Sequence, residues 1–369
     1  MQRLISLCLG LLPISCLAYT QPPTRQDPEP KDPLLHQRPT AQPGVLIIRD
    51  GRIRIDAVVT NAQRKPVAGL QPWDFTLLDN SKPGKIQSFR SYDGTLIKPN
   101  QPVEVILVMD MVNLPFQQVA FVRKEVDQFL RQNNGHLAQP TSLIVFNDSG
   151  LHALPRPTND GDALADLVGN LNGSLRVLDA AQGAAGALER LQLSVRQLGN
   201  IAINEGKKPG RKLLIWVGPG WPMLESAAND YFSERDQRLY FRSIVDLSTW
   251  LREAHIVLYS VQPANMNADS LSRDFIYRAY LKGVTSARTA DTGNLALKVL
   301  VVQTGGLILG PDNDLAAQLN RCLEDANTFY TLTFDPPKAL HTDEYHQLQI
   351  KVDRPDVTVR TTTGYYNQP

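Results

Sequence analysis

A run of seven residues, 103–109, is apolar except for one glutamate and constrains the fold more than any other feature. Such a run is typical of a strand that is buried on both faces of a parallel sheet, and it ends at Asp110. From residue 116 onward, apolar side chains recur at helical spacing and predict an amphipathic helix. The alternation continues with strand patterns at 142–146, 212–217, 256–261 and 306–309. It predicts a doubly wound, mostly parallel α/β sheet over residues 101–327.

Short strand patterns of a different kind flank this region on both sides. Residues 44–100 and 328–369 hold brief strands separated by turns rich in proline, glycine and aspartate, as in antiparallel β-sandwiches. The two segments either pair into one module, with the α/β domain inserted in a loop of it, or form two independent modules. The sequence leaves both arrangements open.

The N-terminus predicts export. Residues 1–18 combine Arg3, an apolar stretch and a terminal Ala18, which is the pattern of a cleaved signal peptide, and a proline-rich linker follows at 19–43. We therefore expect a periplasmic or secreted protein. Lipid attachment at Cys16 is the less favoured alternative, because Pro13 stands where lipoprotein signals usually carry leucine.

The charge balance argues against polyanionic partners. Without the signal peptide, 37 basic residues face 37 acidic ones, so we expect no nucleic-acid binding. No apolar run beyond the signal peptide is long enough to span a bilayer, so we expect no membrane insertion of the mature chain. Cys322 is then its single cysteine, and its place in a helical pattern predicts a buried structural thiol.

Three loops are predicted to meet at the carboxyl edge of the parallel sheet, where open α/β sheets bind their ligands. We call this edge the crest; its loops are residues 110–114, 172–180 and 218–222. The first loop offers Asp110 and Asn113, and the second offers Ser174. These side chains carry oxygen atoms, which are the ligands that a hard cation such as Mg²⁺ prefers.

This arrangement resembles a von Willebrand factor A (VWA) domain. In that family the first loop reads Asp-x-Ser-x-Ser, the second loop supplies a threonine and the third an aspartate, and together they hold Mg²⁺ at a metal-ion-dependent adhesion site. Here Asp110 keeps the first carboxylate, but Val112 and Leu114 replace both serines and Pro219 replaces the aspartate. The resemblance therefore implies a degenerate metal site, with Asp110, Asn113 and Ser174 as its remaining ligands. No cofactor is expected, apart from weakly bound Mg²⁺.

A narrower resemblance covers nearly the whole mature chain. Residues 57–60, 66–67, 74–80 and 86–89 look like the opening of the VWA-related family described mostly from Acidobacteria, and residues 107–113 resemble its central Leu-Leu-x-Asp-x-x-Asn element. Its later markers are matched at residues 304–306, Tyr330, residues 359–360 and residues 364–366. The family has no general assigned activity, so the resemblance implies fold rather than function.

Each candidate residue also has a plainer interpretation. Asp110 can simply cap the turn after its strand, and Ser174 can cap the helix that follows it. Trp221 lies between two prolines and is either an exposed anchor for a partner or packs against its own loop. Tyr277 and Tyr280 lie in a long polar insert, residues 264–291, which we expect to overhang the crest and to contact a partner or merely decorate the edge.

Catalysis finds no support in the sequence. It has no Gly-x-Ser-x-Gly elbow, no phosphate loop and no histidine pair at zinc-binding spacing. We therefore predict an exported, non-enzymatic protein-interaction module that uses its VWA-like crest for adhesion or scaffolding. The alternatives are a weakly Mg²⁺-dependent adhesion protein and a structural component of a cell-envelope assembly.

Overall fold

A computed structural model describes residues 51–92, 103–147, 150–153, 156–170, 183–223, 233–264 and 276–369. The segments predicted to be a signal peptide and a linker, and the second crest loop with Ser174, lie outside these ranges. The strands, in chain order, are β1 (Ile53–Asn61), β2 (Phe75–Asp79), β3 (Lys82–Gly84), β4 (Ile86–Tyr92), β5 (Val103–Asp110), β6 (His136–Asn147), β7 (Gly150–Ala153), β8 (Thr158–Asp160), β9 (Arg211–Val217), β10 (Ile256–Pro263), β11 (Ile308–Asp312), β12 (Phe329–Phe334), β13 (Glu344–Val352), β14 (Val357–Thr361) and β15 (Gly364–Asn367). The α-helices are α1 (Phe116–Leu130), α2 (Gly161–Gly169), α3 (Ala184–Glu205), α4 (Glu234–Glu253), α5 (Leu297–Gln303) and α6 (Leu315–Asn327).

The central sheet confirms the predicted α/β class. Its main path runs β11-β10-β9-β5-β6-β7, and β8 also pairs with β6. The five strands from β11 to β6 are parallel, while β7 and β8 are antiparallel to β6. All eight residues of β5 are buried, as a strand covered by helices on both faces requires.

The terminal segments form one β-sandwich. One sheet has the order β14-β1-β12-β4 and the other the order β15-β13-β2-β3. Strand β1 pairs with both β12 and β14, and β2 pairs with β13, so residues from the two ends of the chain share both sheets. Of the two arrangements that the sequence left open, the structure has the paired one. The α/β domain is inserted between β4 and β12.

Buried charges join the sandwich to the α/β domain. Asp325, at the end of α6, is fully buried and accepts hydrogen bonds from the Tyr259 hydroxyl at 2.8 Å and from Arg360 Nη2 at 2.7 Å. Arg211, at the start of β9, donates to the backbone carbonyl of Asp325 and pairs with Asp56 of β1 at 3.3 Å. These contacts link β1 and β14 of the sandwich to β9, β10 and α6. They fix the inserted domain on the sandwich without a disulfide.

The prediction that Cys322 is a buried structural thiol is confirmed. Its thiol is fully buried in the core that α6 shares with β5, and burial raises the pKa of the thiol far above its ordinary value. A thiol held neutral and away from solvent is unreactive.

Candidate functional site

Asp110 ends β5 at the crest, and its carboxylate is fully buried. Oδ1 accepts hydrogen bonds from the backbone N–H groups of Val112 at 3.1 Å and Asn113 at 3.0 Å. Oδ2 accepts from the Asn113 side-chain amide at 2.8 Å and from the indole N–H of Trp216 at 2.7 Å. The carboxylate is thus surrounded by four N–H donors. The plainer interpretation, in which Asp110 caps its own turn, describes its backbone contacts.

The Asn113 side chain ties the first crest loop to α3. Its amide nitrogen donates both to Asp110 and to the hydroxyl of Ser194 at 3.0 Å, and Ser194 is fully buried on α3. The amide oxygen of Asn113 is also buried and has no hydrogen-bond partner among the described residues. Asn113 therefore acts as a structural bridge between β5 and α3.

Trp216 brings the end of β9 to Asp110. Val108 and Trp216 are paired across the parallel β5–β9 ladder, and Asp110 lies two residues beyond Val108 on the same face of the sheet. The long indole side chain therefore extends along the ladder toward the crest and contacts the carboxylate of Asp110. The following loop passes close by, because a Cβ atom at Gly218 would lie 2.9 Å from the Cβ of Asp110.

Trp221 is buried and is not an exposed anchor, which corrects the first interpretation given to it. Its side chain is 6% exposed, and its ring packs edge-on against Trp216 with the centroids 5.2 Å apart. The turn at Gly220 has a φ of 86°, a conformation that favours glycine, and it folds the ring inward. Trp221 thus packs against its own loop and strand, which was the alternative.

Opposing effects act on the pKa of Asp110. Burial raises the pKa, because the carboxylate loses its hydration, while the hydrogen bonds from Trp216, Asn113 and Val112 favour the ionised form and oppose that rise. All four groups around the carboxylate are N–H donors, and none of them can accept a hydrogen bond from a protonated carboxyl group. The donors therefore favour the ionised carboxylate, but the pKa of Asp110 stays raised above its ordinary value because the effect of burial is the larger.

The described crest residues do not fit a divalent cation. Mg²⁺ needs open oxygen ligands at about 2.0–2.1 Å, but each Asp110 oxygen is already shared by two N–H donors. Val112 and Leu114 are buried apolar side chains, and Pro219 offers only its carbonyl, which accepts from Gln262 at 3.0 Å. Within the ranges that the structure describes, no group of three or more His, Cys, Asp or Glu side chains is arranged to hold a metal ion.

Tyr277 and Tyr280 are directed toward α5 and the turn before it. Lys298 of α5 lies 5.9 Å from the centre of the Tyr277 ring, and burial lowers the pKa of this lysine to about 8. The Tyr280 ring packs against Gly293, where a Cβ atom would come within 2.5 Å of the ring. These contacts join the insert to its own domain, and neither tyrosine is fully exposed.

The described end of the insert does not overhang the crest as expected. The Tyr366 hydroxyl of β15 donates to the Val284 carbonyl at 2.9 Å, and the Tyr345 ring of β13 occupies the space beside Gly283. Residues 283–284 therefore contact the sandwich. The sequence could not show this, because the position of a polar segment without periodicity depends on tertiary contacts, here with two tyrosines of the terminal strands. Residues 265–275 lie outside the described ranges.

Sequence reasoning missed the exposure of Phe116, an apolar residue that closely follows the first crest loop. It begins α1, and its side chain is 64% exposed. The helical period assigned Phe116 to the apolar face because it fits the spacing of Val119 and Val122, both of which are buried. The signal that could have separated them is Pro115, which marks the first turn of the helix, where a side chain can lie beyond the edge of the sheet.

The comparisons with known proteins supply a fold likeness only. Neither the family profiles nor the curated sequences give a match, so membership in the acidobacterial family stays a prediction. Similar solved structures include human COPII-coat protein Sec24c (9% identity, TM-score 0.34), the pilus adhesin SpaC from Lactobacillus rhamnosus GG (10%, 0.35) and a von Willebrand factor type A protein from Catenulispora acidiphila (10%, 0.32). They cover 73%, 82% and 85% of this chain, which in turn spans 44%, 48% and 72% of theirs.

In the described part of the chain, no helix combines the length and apolar character that crossing a bilayer requires.

Proposed function

We propose that this chain is an exported, non-enzymatic protein-interaction module whose crest contacts a protein partner without a divalent cation. The observation that carries the proposal is the hydrogen bonding of the Asp110 carboxylate. Its carboxylate is enclosed by N–H donors from strand β9 and from the first crest loop, so these hydrogen bonds hold that loop in place without a cation. A loop of fixed shape loses little conformational entropy when a partner binds.

Phe116 is the contact that we assign to the partner. It is a large apolar side chain, 64% exposed, at the first position of a 15-residue helix anchored in the core. Aromatic residues, phenylalanine among them, are enriched in protein–protein interfaces relative to the rest of the surface. The partner would therefore offer an apolar pocket or face to the Phe116 ring.

Binding is tested with the mature chain immobilised and exposed to the secreted and envelope proteins of its own source. We expect a partner to be retained equally in EDTA and in Mg²⁺, and Phe116→Asp to weaken its retention by about tenfold or more. Trp73→Asp is the matched control, because Trp73 is 79% exposed on the sandwich and its loss should leave crest binding intact. Equal retention by the wild type and Phe116→Asp would contradict the assignment of the crest.

Export is tested separately, by the mass of the mature N-terminus. Cleavage after Ala18 and recovery outside the cytoplasm are the expected results. A retained leader or a lipidated Cys16 would contradict free export.

The envelope-component alternative keeps one observation in its favour. Trp73 and Leu340, 79% and 88% exposed, are apolar side chains of the sandwich rather than the crest. If the Trp73→Asp control, and not Phe116→Asp, abolished retention, the sandwich would be the contacting module.

A further inference from the structure

We propose that Trp216 is a built-in substitute for a cation at the crest: its indole N–H, rather than a metal ion, holds the carboxylate of Asp110. The contact is 2.7 Å long and joins residues 106 positions apart in the chain. The carboxylate that begins the first crest loop is therefore held in place when the chain folds. This inference concerns the structure of the crest, and only its consequence for partner binding rests on the proposed function.

The indole is held in place by aromatic neighbours on both sides. Phe146 of β6 packs edge-on against it at 5.7 Å and Trp221 at 5.2 Å, and the Trp216 side chain is fully buried. An indole fixed in this way cannot rotate away to admit an ion without unpacking two other rings. This explains why Trp221 is buried: it holds Trp216 against Asp110.

The hydrogen bonds around Asp110 make a cation unnecessary. A buried carboxylate is costly unless it is paired or hydrogen-bonded, and here four N–H groups supply that stabilisation. Each oxygen accepts two of them, so a cation would have to displace at least one donor. The apolar side chains of Val112 and Leu114 offer no ligand in exchange.

The experiment uses the mature chain with ¹⁵N in its tryptophan indoles. The chain has four tryptophans, and Trp→Phe variants at 73, 221 and 250 assign three signals, leaving that of Trp216 even if its own variant fails to fold. We expect the Trp216 N–H to exchange slowly with solvent. We also expect its signal to move in Asp110→Asn, because the acceptor loses its charge.

Mn²⁺ then serves as the probe for a cation, because a bound paramagnetic ion broadens nearby signals. We expect millimolar Mn²⁺ to leave the Trp216 signal unchanged, and the signal of the exposed Trp73 serves as the internal control for nonspecific effects. Broadening of the Trp216 signal that disappears in Asp110→Asn would overturn the proposal. A Trp216 signal that does not respond to Asp110→Asn would overturn it as well.

The two proposals fail in distinguishable ways. A Trp216 signal that behaves as expected, together with no retained partner, contradicts only the proposed function. Partner retention that requires Mg²⁺, together with Mn²⁺ broadening of Trp216, contradicts the substitution of a cation and restores the Mg²⁺-dependent alternative.

Discussion

Replacing Asp325 by alanine should destabilise the whole protein, because this carboxylate joins the sandwich to the α/β domain. Asp325 is fully buried, and its two oxygens accept from Arg360 at 2.7 Å and from the Tyr259 hydroxyl at 2.8 Å. The variant leaves a buried hydroxyl without its acceptor and a largely buried guanidinium without its carboxylate, although Arg360 Nη1 keeps its hydrogen bond to the Gly305 carbonyl at 3.1 Å. The backbone carbonyl that accepts from Arg211 is retained.

The magnitude follows from these two losses. Removing one partner of a buried ion pair costs about 3–5 kcal/mol, and an unsatisfied buried hydroxyl costs about 1–3 kcal/mol. The Arg360 side chain is 16% exposed, so water relieves part of the first cost. We therefore expect the free energy of unfolding to fall by about 4 kcal/mol, which is the lower limit of the two costs added together.

The assay is urea unfolding followed by circular dichroism, with a double-mutant cycle. Asp325→Ala combined with Arg360→Met should cost clearly less than the sum of the single variants, because the second change removes the unpaired charge. Arg131→Met is the control: Arg131 pairs with Asp162 and Asp166 on the surface, and its loss should leave the urea midpoint nearly unchanged, because exposed ion pairs contribute little to stability. A loss below about 1 kcal/mol in Asp325→Ala, or additive single variants, would refute the reasoning.

Three further predictions concern pH, packing and metal ions. Burial lowers the pKa of His255 to about 4, against about 6.5 in the unfolded chain. Between these pH values the unfolded state binds more protons, so stability falls as the pH drops from 6.5 to 4. The variant His255→Asn, whose new side chain tolerates the φ of 54°, should reduce that fall when urea midpoints at the two pH values are compared. Gly306→Ala should lower the free energy of unfolding by about 3 kcal/mol, because the added Cβ would lie 1.8 Å from the Leu258 carbonyl oxygen. Gly310→Ala is the control: its Cβ would meet nothing within 4 Å, so it should be nearly neutral in the same urea assay. Calorimetric titration with millimolar Mg²⁺ or Ca²⁺ should show no binding heat and no rise in melting temperature, since a ligand of the native state must stabilise it; binding that Asp110→Ala abolishes would contradict this.

The local elements were largely predictable from the sequence. Strands buried on both faces are continuous apolar runs, and amphipathic helices repeat at 3.6 residues, so β5 and α1 were located to within a residue. The last strand of the central sheet was displaced: β11 covers Ile308–Asp312 rather than residues 306–309. Its last three residues are exposed, so the apolar pattern ends before the hydrogen-bonded ladder does.

The crest was only partly predictable. The sequence located Asp110 and Asn113 at the carboxyl edge, because parallel strands must end there, but it did not show that they bond to each other. The sequence left two interpretations of Trp221 open, an exposed anchor and packing against its own loop, because the direction of a loop side chain depends on which neighbours cover it. The role of Trp216 was invisible, since an aromatic residue in a buried strand has no pattern that distinguishes core packing from hydrogen bonding.

By itself, then, the sequence determined the α/β class, the order of the parallel strands and the position of the crest, because each of these follows from periodicity over a few residues, whereas the short antiparallel strands β7 and β8 were not predicted. Only the tertiary structure decided that the terminal segments pair into one sandwich, that Asp325 joins it to the inserted domain and that Trp216 holds Asp110. Those contacts join residues 35 to more than 270 positions apart. They depend on strand register and on the direction of each side chain, which no local pattern encodes.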